Sequence, residues 1–254
     1  MHYAREDYDF GFALAARFTA KGMRMQVLVN GIGNIGTTLL NLLVDYQQAL
    51  GIDTIYAKKR SVHLWQMNDL RMLQQRGVVL CADAARLEGF QAHLEGVVAF
   101  ETIRPRLDYV FETTANGVGL VNQADYAQWP LLQGACAQGS EKGFGLPYMA
   151  GINEEVILGQ KFVQVVSCNT HASLAVLTRW AGARLENLLD ADFVVVRRSE
   201  DIDGHERLVG ASVVARHLDP DIGTHHAIDA TDLLHSMGLT PQLTSSDVTT
   251  PSQL

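Results

Sequence analysis

Apolar positions recur along this chain in two periods, and the switching between them predicts a parallel α/β architecture. Residues 27–29, the apolar core of MQVLVN, form a short run of strand character that meets a glycine-rich turn. Leu39, Leu40, Leu42 and Leu43 then repeat at the spacing of a helix with one buried face. The alternation continues with a strand over 54–57, a helix over 62–76, a strand over 78–80 and a helix over 84–94. A strand over 109–112, a helix over 121–128 and a short strand over 135–138 follow. In 162–177, FVQVVSCNTHASLAVL, five strand-like residues run into Ser-Cys-Asn-Thr, and Leu174, Val176 and Leu177 mark a helix. Strand and helix in regular turn specify an α/β fold, a Rossmann-type doubly wound parallel sheet with right-handed crossovers.

Composition changes this picture mainly by exclusion. With 254 residues, 47% of them hydrophobic and 19% charged, the chain can bury one large core or two smaller ones. A net charge of -8 argues against nucleic acid or an anionic membrane as the main partner. The three cysteines, Cys81, Cys136 and Cys168, lie far apart with no C-x-x-C pair, so neither a disulfide framework nor a zinc ribbon is expected, and a reducing cytoplasm fits. The apolar run at 10–18 is too short to span a membrane and follows acidic residues that do not suit a secretory leader. Residues 1–24 read as an extension with a short amphipathic helix, and Met23 or Met25 is an alternative start of translation.

Two stretches carry candidate chemistry. Gly31, Gly33 and Gly36 make a G-x-G-x-x-G pattern between a strand and a helix. There the first glycine serves a tight turn, the second the approach of a pyrophosphate and the third close helix packing. Asn34 and Ile35 belong to the same turn. After the second strand stand Lys58, Lys59 and Arg60 where an acid for the ribose hydroxyls is usual, which favours a 2′-phosphate and hence NADP over NAD. Thr113, Thr114 and Gly117 follow a strand at its carboxyl end, where loops of a doubly wound sheet touch a cofactor. Cys168 falls at a strand-to-helix junction among Ser167, Asn169, Thr170 and His171, and unpaired N–H groups at a helix start favour a thiolate nucleophile. Arg197 and Arg198 offer forked donors for phosphate, although only one of two neighbours on a strand can face a site. His225 and His226 can donate to phosphate or move protons. No metal is expected, because no i, i+4 histidine pair appears and the Asp219-Pro220-Asp221 run near His217 reads as a turn.

Several of these motifs occur together in one order. VNGIGNIG at 29–36, QGSEK at 138–142, AGINEE at 150–155, VVSCNT at 165–170, VRR at 196–198 and THH at 224–226 resemble the type II, archaeal-type, phosphorylating glyceraldehyde-3-phosphate dehydrogenases. The resemblance runs from about residue 25 to the last. It implies a dinucleotide-binding domain over 25–166 and a catalytic α+β domain over 167–254, incomplete at its end. It implies that Cys168 is the nucleophile and that Ser167, Asn169 and Thr170 line the aldehyde site. Gly33 and Asn34 then hold the dinucleotide phosphates, Ser140 and Arg198 lie by the cofactor, and His226 with Ala227 contacts substrate beside His225. The implied partners are NAD or NADP, a phosphorylated aldehyde, inorganic phosphate and further copies of the chain in a homotetramer, with a place in glycolysis.

Departures from the family pattern qualify what the resemblance implies. Where the family reads Ser-Cys-Asn-Thr-Thr-Gly, this chain has Thr170, His171 and Ala172, so an imidazole replaces a hydroxyl that helps bind phosphate. Ser140 and Ala227 replace glycines, each adding bulk where backbone nears ligand. The sequence ends at DVTTPSQL, where the family's His-x-His base is about to begin, so the chain reads as C-terminally truncated. The alternatives are a related aldehyde dehydrogenase with another substrate, and a degenerate dinucleotide-binding protein without catalysis.

Overall fold

The computed structural model describes residues 25–139, 141–198 and 212–250. Eight strands form the main sheet: β1 (Met25–Asn30), β2 (Ile52–Lys58), β3 (Val79–Ala82), β4 (Val98–Ala99), β5 (Tyr109–Glu112), β6 (Gly134–Ala137), β7 (Leu146–Tyr148) and β8 (Phe162–Val165). Their order is β4-β3-β2-β1-β5-β6-β8-β7, and every pairing from β4 through to β8 is parallel. Parallel neighbours need crossovers, which come from α1 (Asn34–Asp45), α2 (Met67–Gln75), α3 (Leu87–Gln91), α4 (Phe100–Ile103) and α5 (Val118–Tyr126). The chain winds outward from β1 to β4 and then crosses to β5 on the other side of β1. That reversal makes the carboxyl ends of β1 and β5 a topological switch point, the place where open α/β sheets bind ligands.

Both faces of this sheet are covered, which the strand sequences require. Val27, Val29, Ile55, Ala57 and Leu80 pack with Leu40, Leu43, Leu70 and Phe90 on one side. Leu28, Tyr56, Cys81, Val110 and Ala135 pack with Phe100, Ile103, Tyr126 and Trp129 on the other. Successive strand residues thus alternate between two cores, as the two-residue strand period demands when neither face meets water. The buried stripe of α1 is narrower than its leucines predict, since Leu40 and Leu43 are buried while Leu42 is 49% exposed. Helix α2 starts only at Met67, after a 3-10 turn over Leu64–Gln66, and the predicted helix over 84–94 shortens to α3 behind a 3-10 turn over Ala84–Arg86. β4, α4, β7 and α6 (Glu154–Ile157) are too short for any period to show in the sequence.

The chain divides into two compact units. One holds the described residues up to Gly145 together with Gln160–Gln164, and the other holds Leu146–Gly159 and the described residues from Val165 onward. Residues 146–159 fall inside the expected dinucleotide-binding domain over 25–166. Those residues belong with the second unit because Met149 and Ile152 bury against Leu174, Leu233 and Leu234. That unit contains α7 (Cys168–Ala181), α8 (His225–Ser236) and a three-stranded sheet of β9 (Asp190–Arg198), β10 (Val213–Val214) and β11 (Gln242–Thr250) in the order β10-β11-β9. β9 and β11 run parallel over nine residues, and β10 is antiparallel to β11. Leu243 and Phe193 turn into the core beneath α8, and Val194, Val196 and Val214 are exposed. Among the described residues no helix is long and apolar enough to cross a membrane. The extension over 1–24 and its proposed helix lie outside the described residues.

Candidate active site

In the first unit, the glycine turn joins β1 to α1 with almost no room to spare. Gly31 has φ +110, and a Cβ there would stand 2.7 Å from the backbone of Thr113. A Cβ on Gly36 would meet Gly31 O at 2.0 Å, so this glycine lets the helix lie on the turn. Gly33 differs: it is exposed, and nothing lies within 4 Å of an added Cβ. It is the N-cap of α1, so no side chain caps that helix, and Asn34 and Ile35 follow it at the surface. An open backbone cradle before an uncapped twelve-residue helix suits the diphosphate of a dinucleotide.

A buried polar cluster sets the neighbouring loop against this turn. Glu112, the last residue of β5, is 0% exposed, and its carboxylate accepts from Asn30 Nδ2 at 3.0 Å, Asn122 Nδ2 at 3.0 Å and the Tyr126 hydroxyl at 2.5 Å. It also accepts from Thr114 N at 3.0 Å and from the Thr114 hydroxyl. Burial, and then the charge of Glu112, hold the Tyr126 phenol well above its usual range. Thr113 donates from its hydroxyl to Gly31 O at 2.7 Å, so the two loops of the switch point are tied directly. A buried carboxylate with this many donors is an anchor, and no motif or spacing in the sequence marks it.

The cations at the end of β2 are distributed unevenly. Lys58 Nζ lies 2.7 Å from Asp83 and 3.9 Å from the centroid of the Phe100 ring. Lys59 donates to Ile32 O at 3.2 Å, and burial holds its ammonium below the ordinary lysine range. Ser140 lies outside the described residues, as does the side chain of Arg198.

In the second unit, Cys168 is the first residue of α7 and is exposed, while Cys81 is buried. Ser167 caps the helix, its hydroxyl accepting from Thr170 N at 3.2 Å. The same hydroxyl lies 2.9 Å from Thr170 Oγ1 and 3.1 Å from His226 Nδ1. Thr170 donates in turn to His226 O at 3.3 Å. The amino-terminal turns of α7 and α8 are therefore stitched together directly behind Cys168. Asn169 is half-buried, and so are His171 and His225. Thr170, His226 and Ala227, assigned to substrate by resemblance, are buried and serve this junction from beneath.

Strand β11 supplies the support for α8. Ser245 Oγ accepts from Ala227 N at 3.1 Å and lies 2.7 Å from Thr224 Oγ1. Two residues on, Asp247 is 1% exposed, lies 3.1 Å from Arg197 Nε and stands 3.6 Å from His226 Nε2. That carboxylate favours the tautomer with hydrogen on Nε2, leaving Nδ1 to accept from Ser167. Burial, the adjoining His225 and Arg197 push the imidazole of His226 down to about 4, against the opposing pull of Asp247. The signal for Asp247 was present in the sequence. In the alternating strand LTSSDVTT, Leu243, Ser245 and Asp247 share one face, and polar residues on a core face need partners. Asp219 Oδ1 accepts from the backbone of Asp221 and Ile222 at 2.8 and 2.9 Å, which makes the Asp-Pro-Asp run a turn. Among the described residues no group of three or more metal-ligating side chains comes together.

An exposed cysteine on a capped helix start thus accompanies, in the same chain, a strand-glycine turn-helix unit. The chain is similar in sequence to several archaeal proteins. The chain is 27% identical over 211 residues to a glyceraldehyde-3-phosphate dehydrogenase of Thermococcus kodakarensis, covering 80% of this chain and 59% of the relative. It is 25% identical over 221 residues to the enzyme of that name from Saccharolobus solfataricus, covering 85% and 60%. The chain is related to archaeal glyceraldehyde-3-phosphate dehydrogenases. A match to glyceraldehyde-3-phosphate dehydrogenase 2 of Methanosarcina acetivorans, 29% identical, spans 58% of this chain and 42% of the relative. No family model matches the chain. It spans about three-fifths of the length of the first two archaeal dehydrogenases.

Proposed function

We propose that this chain carries out dinucleotide-dependent, phosphorylating oxidation of glyceraldehyde 3-phosphate through a thioester on Cys168. The observation that carries the reading is the exposed thiol at the first position of α7, held by the Ser167 cap. Backbone N–H groups at a helix start stabilise the oxyanion character that develops beside such a thiol when it adds to a carbonyl. The Cys168 thiolate adds to the aldehyde carbon to give a thiohemiacetal. Oxidised NAD or NADP, when bound, supplies the hydride acceptor that turns this adduct into a thioester. His225, the more accessible imidazole of the pair, takes the hydroxyl proton as hydride departs. An oxygen of inorganic phosphate then attacks the acyl carbon, the C–S bond breaks, and the acyl phosphate leaves with Cys168 returned to thiolate.

Arg197, half-exposed and oriented by Asp247, is the cation assigned to the substrate phosphate. The glycine turn, Asn34 and Thr114 are assigned to the cofactor, and Ser167, Asn169 and His225 to the aldehyde pocket. A cytoplasmic homo-oligomer is part of the same proposal. Mixing the chain with cofactor and glyceraldehyde 3-phosphate in the absence of phosphate should release about one equivalent of reduced cofactor per thiol in a burst. Cys168→Ser should abolish that burst. The presence of His171 beside the buried Thr170 favours a second reading, in which the same thioester chemistry acts on a different aldehyde. A burst confined to other aldehydes would select it.

A further inference from the structure

A line of side chains in the second unit links the buried face of β11 to the start of α7. Both carboxylate oxygens of Asp247 face Arg197 Nε, at 3.2 and 3.1 Å, and Oδ2 also stands 3.6 Å from His226 Nε2. The other nitrogen of that ring, Nδ1, lies 3.1 Å from Ser167 Oγ. Ser167 caps α7, whose first residue is Cys168. Asp247 and His226 are each 1% exposed, so the line acts from inside the unit on the helix start.

The hydroxyl of Ser167 has one proton and two acceptors within reach. These are His226 Nδ1 and, at 2.9 Å, Thr170 Oγ1, whose own proton goes to His226 O. The tautomer of His226 decides between them. With a carboxylate opposite Nε2 the hydrogen sits there, Nδ1 is bare, and Ser167 donates to it. The oxygen of Ser167 then serves the cap, accepting from Thr170 N at 3.2 Å. With the hydrogen on Nδ1 instead, a bare Nε2 would face the anion of Asp247. Ser167 would then accept from His226 as well as from Thr170 N, and its proton would turn to Thr170 Oγ1. A cap oxygen shared between two donors holds the first turn less firmly. That turn carries Cys168 and the backbone N–H groups beside it.

We propose that Asp247 is a positioning residue for Cys168: by fixing the tautomer of His226 it sets the direction of the Ser167 hydroxyl and so the first turn of α7. The inference rests on the reading of Cys168 as the nucleophile that forms a thioester, and adds to it a buried residue that acts through two others.

The Asp247→Asn variant of the full chain tests it. The amide oxygen stays with Arg197 Nε, which turns the NH2 toward His226 Nε2 and draws the ring hydrogen to Nδ1. Nitrogen NMR of histidine-labelled protein near neutral pH reads the tautomer, with His226 recognised by the signals lost in His226→Gln. The unaltered chain should carry hydrogen on Nε2 and the Asn variant on Nδ1. The burst of reduced cofactor at saturating glyceraldehyde 3-phosphate should slow about tenfold in the Asn variant. Alkylation of Cys168 by iodoacetamide, which develops no oxyanion, should change by less than about twofold, whereas a disordered helix start would alter both. In a Ser167→Ala background the link is already cut, so Asp247→Asn should cost less than about twofold further. In Ser167→Thr, which keeps hydroxyl and cap, the loss of about tenfold should return and guards against a folding defect in the alanine variant. A His226 ring that keeps its tautomer, an unchanged burst, or the full loss repeated in Ser167→Ala overturns the assignment while leaving the thioester reading standing. An unaltered chain that gives no burst overturns the assignment and the reading beneath it together.

Discussion

The residue with the most unusual surroundings is His226, whose ring is 1% exposed between Ser167 and Asp247. Its folded value of about 4 lies below the unfolded imidazole value near 6.5, so the unfolded chain takes up a proton over that interval and the folded chain does not. Stability is therefore full above pH 6.5 and is lost progressively as the pH falls toward 4, by at most about 3 kcal/mol. Urea denaturation at pH 7.5 and at pH 5 should show the fall, and His226→Gln should flatten it. Cysteine reactivity divides on exposure. Iodoacetamide should modify Cys168 well before Cys81, which is buried and whose thiol burial pushes up to about 12. Peptide mapping during alkylation reads that order directly, and prior labelling of Cys81 would contradict it.

At the scale of elements, the glycine turn separates folding from binding. Gly33→Ala has open space around the new methyl and an N-cap φ of -107, so its stability should stay within about 0.5 kcal/mol while dinucleotide affinity falls. Gly36→Ala places a methyl 2.0 Å from Gly31 O and should cost about 2 kcal/mol or more. Thermal denaturation paired with NADPH titration distinguishes the two. Glu112→Ala removes the shared acceptor of Asn30, Asn122 and the buried Tyr126 hydroxyl, and should cost about 3 kcal/mol or more in denaturant unfolding. The turn was legible in sequence because glycine spacing records a backbone requirement. The Glu112 anchor was not, since its donors come from residues 30, 114, 122 and 126, and only the folded sheet brings them together. The lysines at the end of β2 were read as cofactor ligands because a sequence shows charge without showing that Asp83 and Ile32 claim it.

For the molecule as a whole, the alternation of strand and helix was enough to predict a doubly wound parallel sheet, because each βαβ unit repeats the same buried pattern. The division between units was less legible. Residues 146–159 have no period long enough to announce a side, and only the burial of Met149 and Ile152 against Leu174 and Leu233 assigns them. The candidate site was visible as far as Cys168 and its cap. Asp247 and Ser245 were marked in the sequence only as polar residues on the core face of β11, and it is the fold that brings Arg197 and the first turn of α8 to them. The central claim is that Cys168 forms an acyl thioester, and intact-protein mass spectrometry tests it most directly. After incubation with glyceraldehyde 3-phosphate and oxidised cofactor without inorganic phosphate, one acyl adduct should appear on the peptide containing Cys168 and disappear when phosphate is added. A peptide that stays unmodified while cofactor binding is demonstrated in the same sample would contradict the account.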